Sequence, residues 1–109
     1  MFLAIDVGNT HIVLGVYVGD TLQHHWRLHT DKHRTADEYG VLISSLLTGA
    51  ALPPVTAVAI SCVVPTMNRL LDDVSQRYLK VSPLFVGPGI KTGLPILYDK
   101  PQEVGADRV

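Results

Sequence analysis

The chain has 109 residues, with 9 Lys plus Arg against 10 Asp plus Glu and a formal net charge of −1. That balance, with the basic residues scattered from Arg27 to Arg108, excludes the concentrated positive surface of a nucleic-acid-binding module. At 47% hydrophobic and 17% charged residues the chain is too apolar for disorder, and it is expected to form one domain with a buried core.

Met1 to Asp6 is an apolar run ending in an acid and reads as a buried strand. Gly8-Asn9 then offers turn chemistry. His11 to Val18 is rich in β-branched residues and predicts a second strand, with Gly19-Asp20 as the next turn. In Thr21 to His29, Leu22, His24, Trp26 and Leu28 fall on one face and Gln23, His25, Arg27 and His29 on the other, the alternation of a half-buried strand. Thr35, with Glu38 three residues on, forms a capping box, and Tyr39, Leu42, Ile43, Leu46, Leu47 and Ala50 follow one helical face. Gly49 and Pro53-Pro54 are expected to end that helix. Val55 to Cys62 has the near-continuous apolarity of a central strand covered on both faces. Pro65 opens a second helix with Met67, Leu70, Leu71, Val74 and Tyr78 on its inner stripe, and Leu84 to Val86 makes a last short strand.

The order β-β-β-α-β-α-β predicts an α/β fold: a five-stranded mixed sheet of the ribonuclease-H-like type, the repeating half of the actin-like ATPases. Residues 1–86 form that domain, and the composition turns loop-rich over 87–109. Val41 to Asn68 carries no charged residue, but Pro53-Pro54 cuts the stretch and six hydroxyl side chains punctuate it, so two buried elements explain it better than a membrane span. The lone Cys62 allows no intramolecular disulfide and no Cys-based zinc site, which points to a reducing cytoplasm. The start of the chain lacks the basic region of a signal peptide.

Asp6-Val7-Gly8-Asn9-Thr10 is the first constellation with chemistry in it. An acid at the end of a buried strand, followed by a glycine turn, sets a carboxylate beside exposed N–H groups. Glycine lets the backbone approach a phosphate closely, Asn9 and Thr10 can donate to its oxygens, and Asp6 suits a hard cation such as Mg²⁺. A plain hairpin turn with a strand-end acid would use the same five residues. The histidines His11, His24, His25, His29 and His33 do not suggest a metal site: His25 and His29 share a strand face but stand four residues apart, roughly 13 Å at about 3.3 Å per residue.

The second constellation runs from Gly89-Ile90-Lys91-Thr92-Gly93 through Tyr98-Asp99-Lys100-Pro101 to Gly105-Ala106-Asp107-Arg108. Together with Asp6-Val7-Gly8-Asn9-Thr10 and Ser61-Cys62-Val63-Val64-Pro65, it resembles the type III pantothenate kinases of bacteria, members of the actin-like ATPase superfamily. Lys100, where that family more often has Asn, is a departure in a loop. The resemblance implies transfer of the ATP γ-phosphoryl group to pantothenate, the first step of coenzyme A synthesis. It implies Asp6 as the Mg²⁺-associated acid, with Gly8, Asn9 and Thr10 around the ATP phosphates. It also implies Asp107 as the base for the substrate hydroxyl, and Tyr98, Gly105 and Arg108 as pantothenate-site residues on 87–109. A monovalent cation (K⁺ or NH₄⁺) and a homodimer are implied too, with no nucleic-acid or membrane partner. An acid and a base in the first turn of a helix would be the structural reading of Asp107-Arg108. The family's proteins are more than twice as long, so this chain is expected to be one half of a two-domain kinase, inactive by itself. The competing class is a non-catalytic accessory protein in transcriptional regulation with the same fold.

Overall fold

The computed structural model describes residues 1–86. In chain order it contains β1 (Phe2–Val7), β2 (His11–Val18), β3 (Thr21–His29), α1 (Ala36–Gly49), β4 (Ala57–Cys62), α2 (Asn68–Val74) and β5 (Leu84–Val86). The strands build one sheet in the spatial order β3-β2-β1-β4-β5. β1, β2 and β3 pair antiparallel, whereas β4 runs parallel to both β1 and β5. Antiparallel neighbours need only tight turns, and parallel ones need crossovers, which α1 and α2 supply. The expected mixed sheet and element order are both present.

Alternation along the strands divides the sheet into two unlike faces. Leu3, Ile5 and Val7 of β1, Ile12, Leu14 and Val16 of β2, and Val58 and Ile60 of β4 are buried in one core. Tyr39, Ile43 and Leu47 of α1 and Leu71 and Val74 of α2 close the core from above. The opposite face carries Ala4, Asp6, Val13, Gly15 and Tyr17, and it holds the candidate site. The capping box of α1 forms as expected: Glu38 N–H donates to Thr35 Oγ1 at 3.1 Å and Thr35 N–H to Glu38 Oε1 at 2.7 Å. Tyr39, wholly buried, donates its hydroxyl to the His29 carbonyl at 2.9 Å and accepts from Asp31 N–H at 2.8 Å, fixing α1 to the end of β3.

Three local features depart from the sequence pattern. The strict alternation expected of β3 is broken, because its register with β2 shifts between Val16 and Tyr17. His24 opposes Val16 while Leu22 opposes Tyr17, so the bulge at Gln23 sends Leu22 to the open face, 46% exposed. In the second helix a 3₁₀ turn (Pro65–Met67) leads into α2, and a π turn (Ser75–Leu79) follows it. The extra residue of the π turn puts Leu79, not the expected Tyr78, in the core. Finally, α1 ends at Gly49 as expected, but the left-handed residue that follows it is Ala51, at φ 55°, and not a glycine.

Candidate phosphate-binding cleft

The cleft begins with the register of β1. Ile5 and Val7 point into the core, so Asp6 between them points to the open face, level with Val13 of β2 and Ser61 of β4. Asp6 Oδ1 is shielded from solvent. The chain then reverses through Gly8, Asn9 and Thr10, where Gly8 N–H donates to the His11 carbonyl at 2.8 Å. A Cβ on Gly8 would meet only the His11 carbonyl oxygen, at 3.4 Å. Its role is therefore to leave the surface of the turn open, not to supply a left-handed conformation.

Thr30, just beyond β3, holds this turn from behind. Its hydroxyl donates to the Gly8 carbonyl at 2.9 Å, and its N–H donates to the Thr10 carbonyl at 2.8 Å. The residue is 6% exposed. Both inner carbonyls of the turn are thus occupied, while Asn9 and Thr10 themselves stay exposed.

Asp6, Gly8, Asn9 and Thr10 line one cavity of about 740 Å³. His11, Val13 and Arg27 complete its described lining. A second hollow of about 340 Å³ continues along the same face past Asp6 toward Gly15, Tyr17, Leu22 and Ser61. The structure therefore brings together all four residues expected at a phosphate site. Tyr98, Gly105, Asp107 and Arg108, and the boundary expected at 87, lie outside the described residues. Sequence reasoning missed Thr30, whose role depends on a partner 22 residues away, and Arg27, which reaches the cleft only through strand pairing.

The donors here are hard oxygens: one carboxylate from Asp6, with the side chains of Asn9 and Thr10 beside it. That set suits Mg²⁺, which is held by one or two carboxylates and otherwise by phosphate oxygens and water. Cys62, at the end of β4, offers no competing chemistry. Burial pushes its thiol up from the ordinary range, and its Sγ–H donates to the Val64 carbonyl at 3.1 Å, so it remains a protonated structural residue. No helix among the described residues is long and apolar enough to cross a membrane.

Residues 2–109 match the model of a family described as type III pantothenate kinase. Proteins of that name from Anaeromyxobacter sp. (strain Fw109-5) and Myxococcus xanthus are 60% and 56% identical over 111 residues, covering 100% of this chain. They cover it with only 44% and 43% of their own lengths, so the chain spans less than half of each relative. Among solved structures, a putative N-acetylglucosamine kinase from Porphyromonas gingivalis superposes with a TM-score of 0.57 at 16% identity, over 80% of this chain and 34% of that one. RuvC of T. thermophilus, in complex with a Holliday junction substrate, gives 0.54 at 22% identity, over 80% of this chain and 64% of that one. At such identities the likeness concerns the fold alone, an actin-like or ribonuclease-H-like sheet shared by kinases and nucleases.

Proposed function

The chain belongs to the type III pantothenate kinase family, and from that premise we propose that its open sheet face is the phosphate-binding half of a kinase active site. The reaction is transfer of the ATP γ-phosphoryl group to the primary hydroxyl of pantothenate. The observation that carries this reading is the convergence of Asp6, Gly8, Asn9 and Thr10 on one cavity, on the face away from the core.

Phosphoryl transfer demands positioning and charge neutralisation more than covalent chemistry from the protein. In the proposal the Gly8–Thr10 turn receives the terminal phosphates, with Asn9 and Thr10 donating to their oxygens. Asp6 is the residue that would hold Mg²⁺, which when bound offsets the negative charge of the phosphates. Asp107 accepts the proton as the pantothenate hydroxyl oxygen bonds to the γ-phosphorus and the bond to the β–γ bridging oxygen breaks, releasing ADP. Arg108 offers a fork-shaped guanidinium to the pantothenate carboxylate, with Gly105 and Tyr98 around it. Residues 1–86 act as the nucleotide half and 87–109 as the substrate loop, in a cytoplasmic homodimer that also uses K⁺ or NH₄⁺.

The test is coupled detection of ADP, with and without pantothenate, in a protein of the relatives' full length that carries these residues. Pantothenate-dependent ADP release is expected; release that ignores pantothenate, or none at all, overturns the reading. In the same assay Asp107→Asn should lower kcat on the order of 10²–10⁴-fold while leaving both KM values near their starting points.

A further inference from the structure

The cavity beside Asp6 contains a cation that neither the motif nor the family reading assigns. Arg27 lies on β3 directly across from Val13, and Val13 lies directly across from Asp6, so the three residues form one row across three strands. Their neighbours Ile5, Ile12, Leu14, Trp26 and Leu28 point to the other face, into or against the core. The row therefore faces the cleft, and Arg27 and Asp6 stand two strand spacings apart, about 10 Å between backbones. Both line the same cavity as the Gly8–Thr10 turn.

Ion pairing separates Arg27 from Arg34 and Arg77, and position separates it from Arg69, which lines a different hollow on α2. Arg34 pairs with Asp31 at 3.8 Å, and Arg77 pairs with Asp37 at 2.6 Å and Asp73 at 2.8 Å. Arg27 has no such ion pair with a described residue, although a carboxylate lies in its own row. It is also the only Lys or Arg among the described residues lining the cavity. A guanidinium left uncompensated at the mouth of an oxygen-rich cleft is suited to an incoming polyanion, and its planar fork matches phosphate oxygens bidentately.

We infer that Arg27 binds the terminal phosphates of the nucleotide, across the cavity from Asp6 and beside the Gly8–Thr10 turn. The inference rests on the reading of this cleft as a phosphate site and adds a residue to it. The β3 backbone keeps its pairing with β2 unbroken from His24 to His29. The hydrogen bond from Thr30 to Thr10 closes the end of that ladder. Arg27 is thereby held on a rigid strand, with its exposed side chain free to turn toward the ligand.

In a protein of the relatives' full length carrying these residues, Arg27→Met should raise the KM for ATP by about tenfold or more, the loss expected for a charge-assisted hydrogen bond. The KM for pantothenate and the melting temperature should stay unchanged. Arg27→Lys, which keeps the charge and loses the fork, should fall between the two. Titration of the same variants with inorganic triphosphate, followed calorimetrically, should show the same order of affinity without any turnover. An unchanged KM for ATP, a rise in the KM for pantothenate instead, or full rescue failure in Arg27→Lys with equal triphosphate affinity throughout would overturn the assignment. If the unsubstituted protein phosphorylates pantothenate while Arg27→Met behaves identically, the assignment fails and the kinase reading stands. If the unsubstituted protein neither binds triphosphate nor releases ADP in the presence of pantothenate, both fail.

Discussion

Thr30 illustrates how much of a site can rest on one residue that touches no ligand. Its hydroxyl and its N–H occupy the Gly8 and Thr10 carbonyls, leaving the outer surface of the turn to face the cavity. Thr30→Val preserves the shape and removes the hydroxyl, so the Gly8 carbonyl loses its donor at a cost of about 1–3 kcal/mol. Stability measured by chemical denaturation should fall by that amount, and Thr30→Ser should recover most of it. Equal denaturation midpoints for Val and Thr at this position would show that the turn holds its shape unaided. Nothing in the local sequence announces this role. Thr30 follows β3 as an ordinary polar residue, and only the pairing of β3 with β2 brings it behind the turn.

At the scale of elements, patterns carried by a segment's own residues were readable in advance, and features imposed by neighbours were not. The β-branched run His11–Val18 and the Thr35–Glu38 box depend on their own residues, and both appear where expected. The bulge at Gln23 and the π turn depend on what pairs with or packs against the segment, and no periodicity encodes them. Ala51 is a similar case: its left-handed backbone costs an L-residue about 1–2 kcal/mol that glycine avoids, and helices commonly place glycine there. Ala51→Gly is expected to raise stability by about 1 kcal/mol, less the greater freedom glycine has in the unfolded chain, with a lower denaturation midpoint counting against the argument. The second junction joins α1 to the π turn. A Cβ on Gly40 would meet the Tyr78 ring at 2.3 Å, so the ring packs directly on the helix backbone and its hydroxyl donates to Asp37 at 2.6 Å. That bond, with Arg77 adding to it, holds the Asp37 carboxyl below its ordinary 3.8, and it holds the Tyr78 hydroxyl above its ordinary 10.0. A depressed acid contributes stability above its unfolded pKa that disappears as pH falls through the folded one. A raised phenol contributes below its unfolded pKa and loses that contribution as pH rises through the folded one. The stability difference between the natural chain and Tyr78→Phe should therefore be flat from pH 3.8 to pH 10.0 and shrink on either side. A difference that varies with pH inside that window would contradict the assignment.

For the molecule as a whole, the period of two along β1 separates folding from chemistry. Leu3, Ile5 and Val7 enter the core, while Asp6 and the turn after it belong to the cleft. The Asp6–Thr10 cluster was legible because its residues are contiguous. Arg27 was not, because its place in the cleft follows from a register no single segment contains. Alternation also makes the two functions experimentally separable. Ile5→Ala leaves a cavity in the core and should cost about 2–5 kcal/mol, whereas Asn9 and Thr10 are exposed and their replacement by alanine should change stability by no more than about 0.5 kcal/mol. Ligand binding reverses the ranking. At a nucleotide concentration of 100 Kd, binding adds about 2.7 kcal/mol to the native state, read as a rise in melting temperature. In a protein of the relatives' full length, Thr10→Ala should melt like the natural chain without nucleotide and lose most of the rise with MgATP. Ile5→Ala should melt early and keep the rise while it remains folded. Were Thr10→Ala to destabilise the free protein as severely as Ile5→Ala, the turn would be a structural hairpin whose threonine serves the fold, and the cleft would have lost its claim to the phosphates.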